Sequence, residues 1–557
     1  MSDPLERFVD HYCRRRPVNA TFTGLHDYDA YLPDWSAAGL AAIDDEMREL
    51  IVQLDDRYPA PANVMAYRDD ANLLDAELAR GFCEIQLSEN ASGHGMRGNP
   101  ALWTGEAVFS VISLMIREFA PIDDRVRSAV SRMQAIPTFF EQARQCIDGR
   151  PLPGPWVAKA LHDCEGADLL LSRGVQLWVE SGAVESGNAS SARAAASIAA
   201  GAFHAFADWL RERPVAPDGA MACGTAHYDL LLRRGHQTRR PRDELLAEAR
   251  ERLDAESRRL ESMAADAGGS WSNVQERLAA DHPSREEYLD AFAREWRACR
   301  RTIVDADVVT WPDWPIAYEE IPPYTRDAAP YLYYLFYRSP APLDSYDEHT
   351  YVVPPVPAAD PESHLRVWNT SVIKLNHVLH HGGVGHHLQN WHAYHRAGSR
   401  IGKIAAVDCA NRIGMFCGGT MAEGWACYAT GLMGELRGLT SLERVAEQHA
   451  NVRQLARAVV DLSFHSGAMS FDEAVSFFVE RTGMQPTAAR AEVVKASMFP
   501  GTAVMYWLGT QAILDLRQRL GARLGDAFSL KAFHDELLGY GSMPVPLIAR
   551  LMTGHVA

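Results

Sequence analysis

The feature of this 557-residue chain that most constrains its fold is a helical periodicity that runs through its first 300 residues. Apolar residues recur three and four positions apart, and charged residues occupy the opposite face, which is typical of amphipathic helices. The segments with this pattern lie at about 37–57, 66–88, 121–147, 156–180, 190–212, 242–266 and 284–304. The pattern predicts a mainly α-helical protein.

The composition changes between residues 306 and 356. The segments DVVTW, PYLYYLFYRSP and HTYVVPPVP are β-branched, aromatic and bounded by proline, which predicts short strands or extended segments. From about residue 362 the helical pattern returns and continues almost to the end of the chain. Because a single core stops growing well below this chain length, we expect a large, multi-helical, two-lobed architecture. The lobes are residues 1–305 and 306–557, and the second carries a small β element.

Charge and cysteine content limit the partners and the compartment. The chain has 55 basic and 72 acidic residues and a formal charge of −17, whereas nucleic-acid binding requires a basic surface. Its nine cysteines are scattered without a CxxC pair, which favours a reducing compartment. The charged start MSDPLERFVDHYCRRR and the absence of a long apolar window argue against a signal peptide and a membrane span. We expect a cytoplasmic protein without nucleic-acid or membrane partners; the sequence leaves its oligomeric state open.

Histidines are concentrated in one short run. Seven of the 21 histidines lie in His377–His395, with the sequence HVLHHGGVGHHLQNWHAYH, and a carboxylate follows at Glu423. Imidazoles together with one carboxylate are ligands that zinc-type cations prefer. The run therefore predicts a divalent metal, with zinc as the first choice.

Spacing within the run leaves two ligand pairs open. His377 and His381 are four residues apart and share a face of a regular helix. His380 and His386 are six apart, so they could share a metal only if the backbone departs from the helix between them. Glycine makes such a departure cheap, because it tolerates conformations that other residues do not. Three glycines lie in this stretch: Gly382, Gly383 and Gly385.

The run resembles a motif of a known family. HHGGVGHHLQ is similar to the His-Glu-x-x-Pro-Gly-His-His-Leu-Gln motif of the bacterial domain-of-unknown-function family 885, whose members are mostly predicted zinc-peptidase-like proteins. The resemblance extends to EGWACY at Glu423–Tyr428 and to the opening segment RRRPVNATFTGLHDYDAYLPD. Further similar positions are Arg453, Arg457, Asp461, His465, Pro500, Gly501, Tyr506, Gly509, Leu516 and Arg517.

The resemblance implies a zinc-peptidase-like architecture and a specific ligand set. His380 and His386 would be the metal-binding imidazoles, and Glu423 the third ligand. The family motif would place its catalytic glutamate at residue 381, where this chain has His381. Such a glutamate takes a proton from water and delivers it to the leaving amine. The departure therefore puts ordinary peptidase activity in question.

Three interpretations of His381 are open. A neutral imidazole can accept a proton near pH 7 and pass it on, so His381 could replace the glutamate as general base. Alternatively, His381 and His377 join the metal shell and make a nitrogen-rich site suited to iron, manganese or copper. In the third interpretation the site is degenerate and the histidines only form hydrogen bonds.

Other residues have both a chemical and a packing interpretation. Tyr506 could stabilise a developing oxyanion, or it could be a buried tyrosine on an apolar helix face. Asp461 and His465 are four apart on one helix face, which suits either an imidazole of His465 that Asp461 orients behind the metal ligands or a plain surface pair. His387 is a further candidate for the shell behind the ligands or for an alternative ligand. Two further groups of residues also have two interpretations. A stripe of aromatic residues could line a cleft or pack in a strand. A pair of neighbouring residues could approach the histidines or line a core helix. These are Tyr331, Tyr333, Tyr334, Phe336 and Tyr337 for the stripe, and Asp408 and Cys409 for the pair.

The sequence and the resemblance together favour a metal-dependent hydrolase that acts on an amide or related bond of a small molecule or short peptide. His381 would act as general base and Tyr506 would assist. The alternatives are a non-hydrolytic metalloenzyme, such as a lyase or isomerase, and a catalytically silent relative that binds a ligand in the same cleft.

Overall fold

The computed structural model describes residues 3–147, 149–333, 336–338, 341–344, 349–407 and 412–554. It confirms a mainly α-helical fold. The α-helices of the first 305 residues are α1 Pro4–Arg15, α2 Pro17–Thr23, α3 Ala37–Arg57, α4 Ala66–Asp69, α5 Ala71–Ala91, α6 Pro100–Met115, α7 Ile122–Ile147, α8 Gly154–Leu169, α9 Val175–Ser181, α10 Ser186–Arg211, α11 Thr225–Leu230, α12 Arg242–Asp266, α13 Trp271–Ala280 and α14 Tyr288–Asp305.

The rest of the chain is also built mainly from helices. They are α15 Pro323–Arg326, α16 Pro361–Val367, α17 Thr370–Val372, α18 His386–Arg396, α19 Arg400–Ile404, α20 Gly419–Glu435, α21 Ser441–Phe464, α22 Phe471–Thr482, α23 Pro486–Met498, α24 Met505–Leu524, α25 Leu530–Gly539 and α26 Val545–Thr553. Wider, π-helical turns occur at Leu170–Gly174, Leu231–Gly235, Ile373–Gly382 and Gly414–Gly418, and 3₁₀ turns at Asp218–Met221, Ala329–Tyr331 and Gly525–Ala527.

Helix starts follow from local capping chemistry. The Ser36 side chain accepts a hydrogen bond from the Gly39 N–H at the start of α3. Helices α21 and α22 begin with capping boxes, in which Thr440 and Ser470 pair with the glutamate three residues later. The bounds of α3 and α12 coincide with the predicted segments 37–57 and 242–266, because apolar residues recur at helical spacing along both.

The β element is a three-stranded sheet with β1 Ala317–Glu320, β2 Tyr337–Arg338 and β3 Thr350–Val353. Strand β3 lies in the middle, parallel to β1 and antiparallel to β2. The β element is confirmed, but DVVTW at 307–311 forms no strand. Instead β1 lies in the charged segment AYEE, where pairing with buried β3 outweighs weak strand propensity.

The hydrophobic core is continuous across the proposed boundary at residue 305. One cluster of buried apolar side chains includes residues of both halves, and α12 packs along α21. The division into two lobes stays a prediction.

Helices α20 and α24 cross at very close range. A Cβ atom added at Gly424 would lie 2.5 Å from the Gly509 carbonyl carbon, and one at Gly509 would lie 2.0 Å from the Thr420 carbonyl oxygen. Only glycine permits this approach. The crossing brings Glu423 of α20 near Tyr506 of α24.

Two further features bear on the expected compartment. Within the described parts of the chain, no helix has both the length and the apolar character that crossing a bilayer would require. The eight cysteines in those parts are all free thiols.

Candidate metal centre

The helix that carries the first histidines breaks at the glycines. The π-helical segment ends at Gly382, and α18 begins at His386. A Cβ atom at Gly385 would lie 1.9 Å from the His380 carbonyl oxygen, so a larger residue cannot occupy this turn without displacing the backbone. The break returns His386 to the side of His380, and their ring centroids are 4.9 Å apart. The sequence had allowed this departure from the helix without requiring it.

Glu423 completes a set of three potential ligands. Its Oε2 atom lies 3.2 Å from His380 Nε2 and 3.7 Å from His386 Nε2. Tetrahedral zinc with bonds of about 2.0–2.1 Å needs ligand atoms about 3.3 Å apart. These two separations and the mixed nitrogen and oxygen donors therefore fit a zinc-type ion.

The electrostatics of Glu423 suit a cation ligand. Burial acts to raise the pKa of this carboxyl, but the adjacent His380 and His386 rings outweigh burial and hold the pKa well below its usual value. The carboxylate is therefore charged at neutral pH.

His381 lies in the same group with its side chain oriented by the backbone. Its Nδ1 donates a 2.7 Å hydrogen bond to the Asn376 carbonyl, which leaves a lone pair on Nε2. Potential ligand atoms of His380, His381 and His386 all lie within 4.8 Å of one another. Burial, together with the neighbouring His380 and His386, lowers the pKa of His381 well below its ordinary value. A neutral imidazole in this place can serve as a base or as an additional ligand.

Tyr506 faces Glu423 from α24. Burial, followed by the Glu423 charge, raises the pKa of Tyr506 well above its ordinary value. The Arg457 guanidinium lies 5.0 Å from the centre of the tyrosine ring. The phenol therefore keeps its proton and can donate a hydrogen bond.

A cavity of about 250 Å³ adjoins the candidate ligands. Glu423 and Tyr506 both line it, and much of the remaining wall is apolar. Of the aromatic stripe, Tyr333 lines the cavity, whereas Tyr337 is buried and bonds to His387. Apolar wall residues include Trp35, Phe109, Met415, Phe478 and Phe499.

His377 is held away from the three converging histidines. Its Nδ1 forms a 2.6 Å hydrogen bond with the Tyr351 hydroxyl, and its ring stacks on Trp368 at a centroid distance of 4.3 Å. Burial lowers the pKa of His377 to about 3, so the ring is neutral. The structure thus does not bring together the alternative pair of His377 and His381.

His387 also has a packing role. Its Nε2 donates to the Trp314 carbonyl at 2.9 Å, and its Nδ1 accepts from the Tyr337 hydroxyl at 3.1 Å. Both ring nitrogens are engaged, so His387 has no lone pair to offer a metal. Its assignment as an alternative ligand does not agree with these contacts.

Asp461 and His465 stabilise a loop. The Asp461 carboxylate accepts hydrogen bonds from N–H groups in the 501–504 segment, at distances of 2.8–3.2 Å. His465 Nε2 donates to the Ala496 carbonyl, and its Nδ1 accepts from the Cys223 N–H. These contacts position the loop that leads into α24 and Tyr506. Asp461 Oδ1 also lies 3.5 Å from His465 Nε2, and a place for this pair behind the metal ligands stays a prediction.

Arg457 has a partner that the sequence analysis did not identify. Its guanidinium forms two hydrogen bonds with the Glu492 carboxylate of α23, at 2.9 and 2.5 Å. An ion pair between separate helices leaves no local sequence pattern, so Glu492 was not predicted. Tyr334, Asp408 and Cys409 lie outside the described residues.

Comparisons with known proteins agree with the family resemblance. The family model "Bacterial protein of unknown function (DUF885)" matches residues 17–552. None of the curated proteins matches this chain. A "putative lipoprotein of unknown function" from Shewanella oneidensis has a similar structure, with a TM-score of 0.77, 20% identity and 99% coverage of both chains. A "putative lipoprotein" from Colwellia psychrerythraea has a TM-score of 0.65, 17% identity and 99% coverage of both chains. At these identities the similarity shows the fold alone.

Proposed function

This chain belongs to the DUF885 family of bacterial proteins of unknown function, and we propose that it is a metal-dependent hydrolase. Its substrate would be an amide or related bond in a small molecule or short peptide. The observation that carries the proposal is the convergence of His380, His386 and Glu423 beside a cavity that Glu423 and Tyr506 line.

His380, His386 and Glu423 would hold the ion, with zinc as the first choice. When bound there, such an ion supplies Lewis acidity that polarises a substrate carbonyl. The three side chains come from the π-helical segment Ile373–Gly382, α18 and α20, whose packing fixes their separation. A preformed ligand set needs little reorganisation on binding.

His381 would move the proton. Its Nε2 is the free nitrogen, since Nδ1 is committed to the Asn376 carbonyl. In the proposed reaction Nε2 accepts a proton from the attacking water and delivers it to the leaving amine, which takes the role that the family motif gives to glutamate. The Tyr506 hydroxyl would donate a hydrogen bond to the oxyanion that develops on the substrate.

The test is zinc-dependent turnover by the full-length chain. We would incubate the protein, with and without one equivalent of zinc, with a panel of dipeptides and N-acyl amino acids, and quantify products by mass spectrometry. His381→Gln is expected to lower turnover by about 10²-fold or more with zinc content unchanged. His395→Gln is the matched control, because His395 belongs to the same run and is exposed.

Two results would contradict the proposal. One is turnover that does not depend on metal. The other is equal turnover by the wild type and His381→Gln. His381→Glu separates base from ligand: a base role predicts retained or increased hydrolysis, whereas a ligand role predicts altered metal preference.

A cytoplasmic location is part of the same proposal. It is supported by the free thiols of the described cysteines, which suit a reducing compartment. Fractionation of the native host would test it, and recovery of the protein in the membrane fraction would contradict it.

A further inference from the structure

The cavity beside Glu423 carries two arginines that the proposed hydrolysis does not use. Arg16 lies at the junction of α1 and α2, within the opening segment RRRPVNATFTG, and Arg412 precedes α20. Both line the cavity that Glu423 and Tyr506 also line. Glu423 and the two guanidinium groups therefore line the same cavity.

A hydrogen-bond chain on α5 holds both arginines. Arg16 Nη2 donates to the Gln86 side-chain oxygen, and Gln86 Nε2 donates to Glu89 at 2.9 Å. The other Glu89 oxygen lies 3.0 Å from Arg412 Nη2. Gln86 and Glu89 are three residues apart on α5, so one helix face positions both guanidinium groups.

The network formed by Arg16, Gln86, Glu89 and Arg412 contains one carboxylate for two guanidinium groups. Glu89 is buried and forms an ion pair with Arg412, whereas Arg16 has no carboxylate within 4.0 Å in the described part of the protein. The network therefore has one positive charge that no carboxylate of the network compensates. An unpaired charge beside apolar walls is costly unless an occupant of the cavity compensates it.

Glu106 is the other acidic group near these arginines on the cavity wall. It forms no ion pair with Arg16 or Arg412 among the described residues. Burial outweighs both arginines and raises the pKa of Glu106, which favours its neutral form. Glu106 therefore compensates Arg16 poorly.

The remainder of the wall indicates what else the occupant carries. Trp35, Phe109 and Phe499 are among many apolar side chains that line the cavity. Guanidinium groups bind carboxylates through paired hydrogen bonds, and an apolar wall suits an apolar body. A volume of about 250 Å³ accommodates a small organic molecule.

We infer that the cavity binds substrates with a carboxylate on an apolar body, with the carboxylate at Arg16 and Arg412 and the scissile amide near Glu423. N-acyl amino acids and short peptides with apolar C-terminal residues have this chemistry. The position of the amide rests on the proposed function, whereas the carboxylate site does not.

Binding without turnover tests the carboxylate site. The full-length chain, with chelator present so that no carboxylate–metal contact contributes, would be titrated with 3-phenylpropanoate and with the neutral 3-phenylpropan-1-ol by calorimetry. We expect the carboxylate to bind at least about tenfold more tightly. Arg16→Gln should remove this preference, Arg16→Lys should restore part of it, and the exposed Arg14→Gln should keep it.

Glu106→Gln provides a second variant on the same wall. Because the raised pKa favours the neutral carboxyl, this change should leave binding of 3-phenylpropanoate as tight as in the wild type or tighter, whereas misfolding would weaken it. Equal affinity for the acid and the alcohol, no binding of the acid, or an unchanged preference in Arg16→Gln would overturn the inference. Carboxylate binding without hydrolysis of any panel substrate would instead reject the proposed function and keep the carboxylate site.

Discussion

Histidines of a single run have two different environments in this protein. His380, His381 and His386 converge around the glycine break beside Glu423. His377 and His387, from the same run, are tied to tyrosine hydroxyls and, for His387, to a backbone carbonyl. The number of histidines in the run and their spacing along the sequence do not distinguish the two groups. The difference lies in the partners of the rings: His377 and His387 bond to tyrosine hydroxyls, whereas His380 and His386 direct Nε2 toward the Glu423 carboxylate, as metal ligands would.

The largest expected difference between the two groups is in zinc affinity. His386→Ala removes a ligand and should lower zinc affinity by at least about 100-fold. His387→Ala should keep zinc within about tenfold and instead lower the free energy of unfolding by about 2–3 kcal/mol, because it leaves buried polar partners unpaired. Competition with a fluorescent zinc chelator and urea unfolding measure the two quantities. Equal zinc loss in both variants would remove the distinction.

The glycine break should be needed for the site to form. Gly385→Ala places a Cβ atom against the His380 carbonyl, so we expect a loss of about 3 kcal/mol or more in the free energy of unfolding, together with weaker zinc binding. Gly201→Ala is the matched control: it lies within α10 with no atom near its added Cβ, and should be neutral or stabilising. Similar stability of the two variants would show that the break is not required.

The role of Tyr506 can be separated from metal binding. Tyr506→Phe removes the hydroxyl and keeps the ring against Arg457, so we expect about a 10- to 100-fold lower kcat with zinc content unchanged. Steady-state kinetics with a substrate from the proposed panel, and metal analysis of the same sample, check this. A change in KM alone would assign Tyr506 to ground-state binding.

Sequence reasoning succeeded where the determinant is local. Apolar periodicity predicted the bounds of α3 and α12, and the three glycines made a pairing of His380 with His386 possible. Sequence reasoning failed where a side chain is held by residues far away in the sequence. The residues that hold His377 and His387 are 26 to 73 positions away, in segments whose packing is set by tertiary structure. The Arg16 network depends on α5 in the same way.

The smallest expected effect concerns a packing histidine far from the cluster. His236 is buried and bonds to the Gly501 carbonyl, and burial lowers its pKa to about 4. The unfolded chain takes up a proton below about pH 6.5 and the folded protein does not. The free energy of unfolding therefore falls as the pH drops from about 6.5 to about 4, by up to about 1.4 kcal/mol per unit.

His236→Gln should make this decline shallower. Urea unfolding of the wild type and the variant at pH 7, 6 and 5 measures the slope, with the exposed His162→Gln as control. An unchanged slope in His236→Gln would show that this histidine is not the neutral, buried group that its contacts indicate.

The central claim is that His380, His386 and Glu423 bind one divalent metal. Anomalous diffraction at the zinc absorption edge, from crystals of the full-length chain grown with one equivalent of zinc, tests it most directly. We predict a single strong peak about 2.0–2.2 Å from His380 Nε2, His386 Nε2 and a Glu423 oxygen. A peak at other residues, or none at this site, would contradict the account.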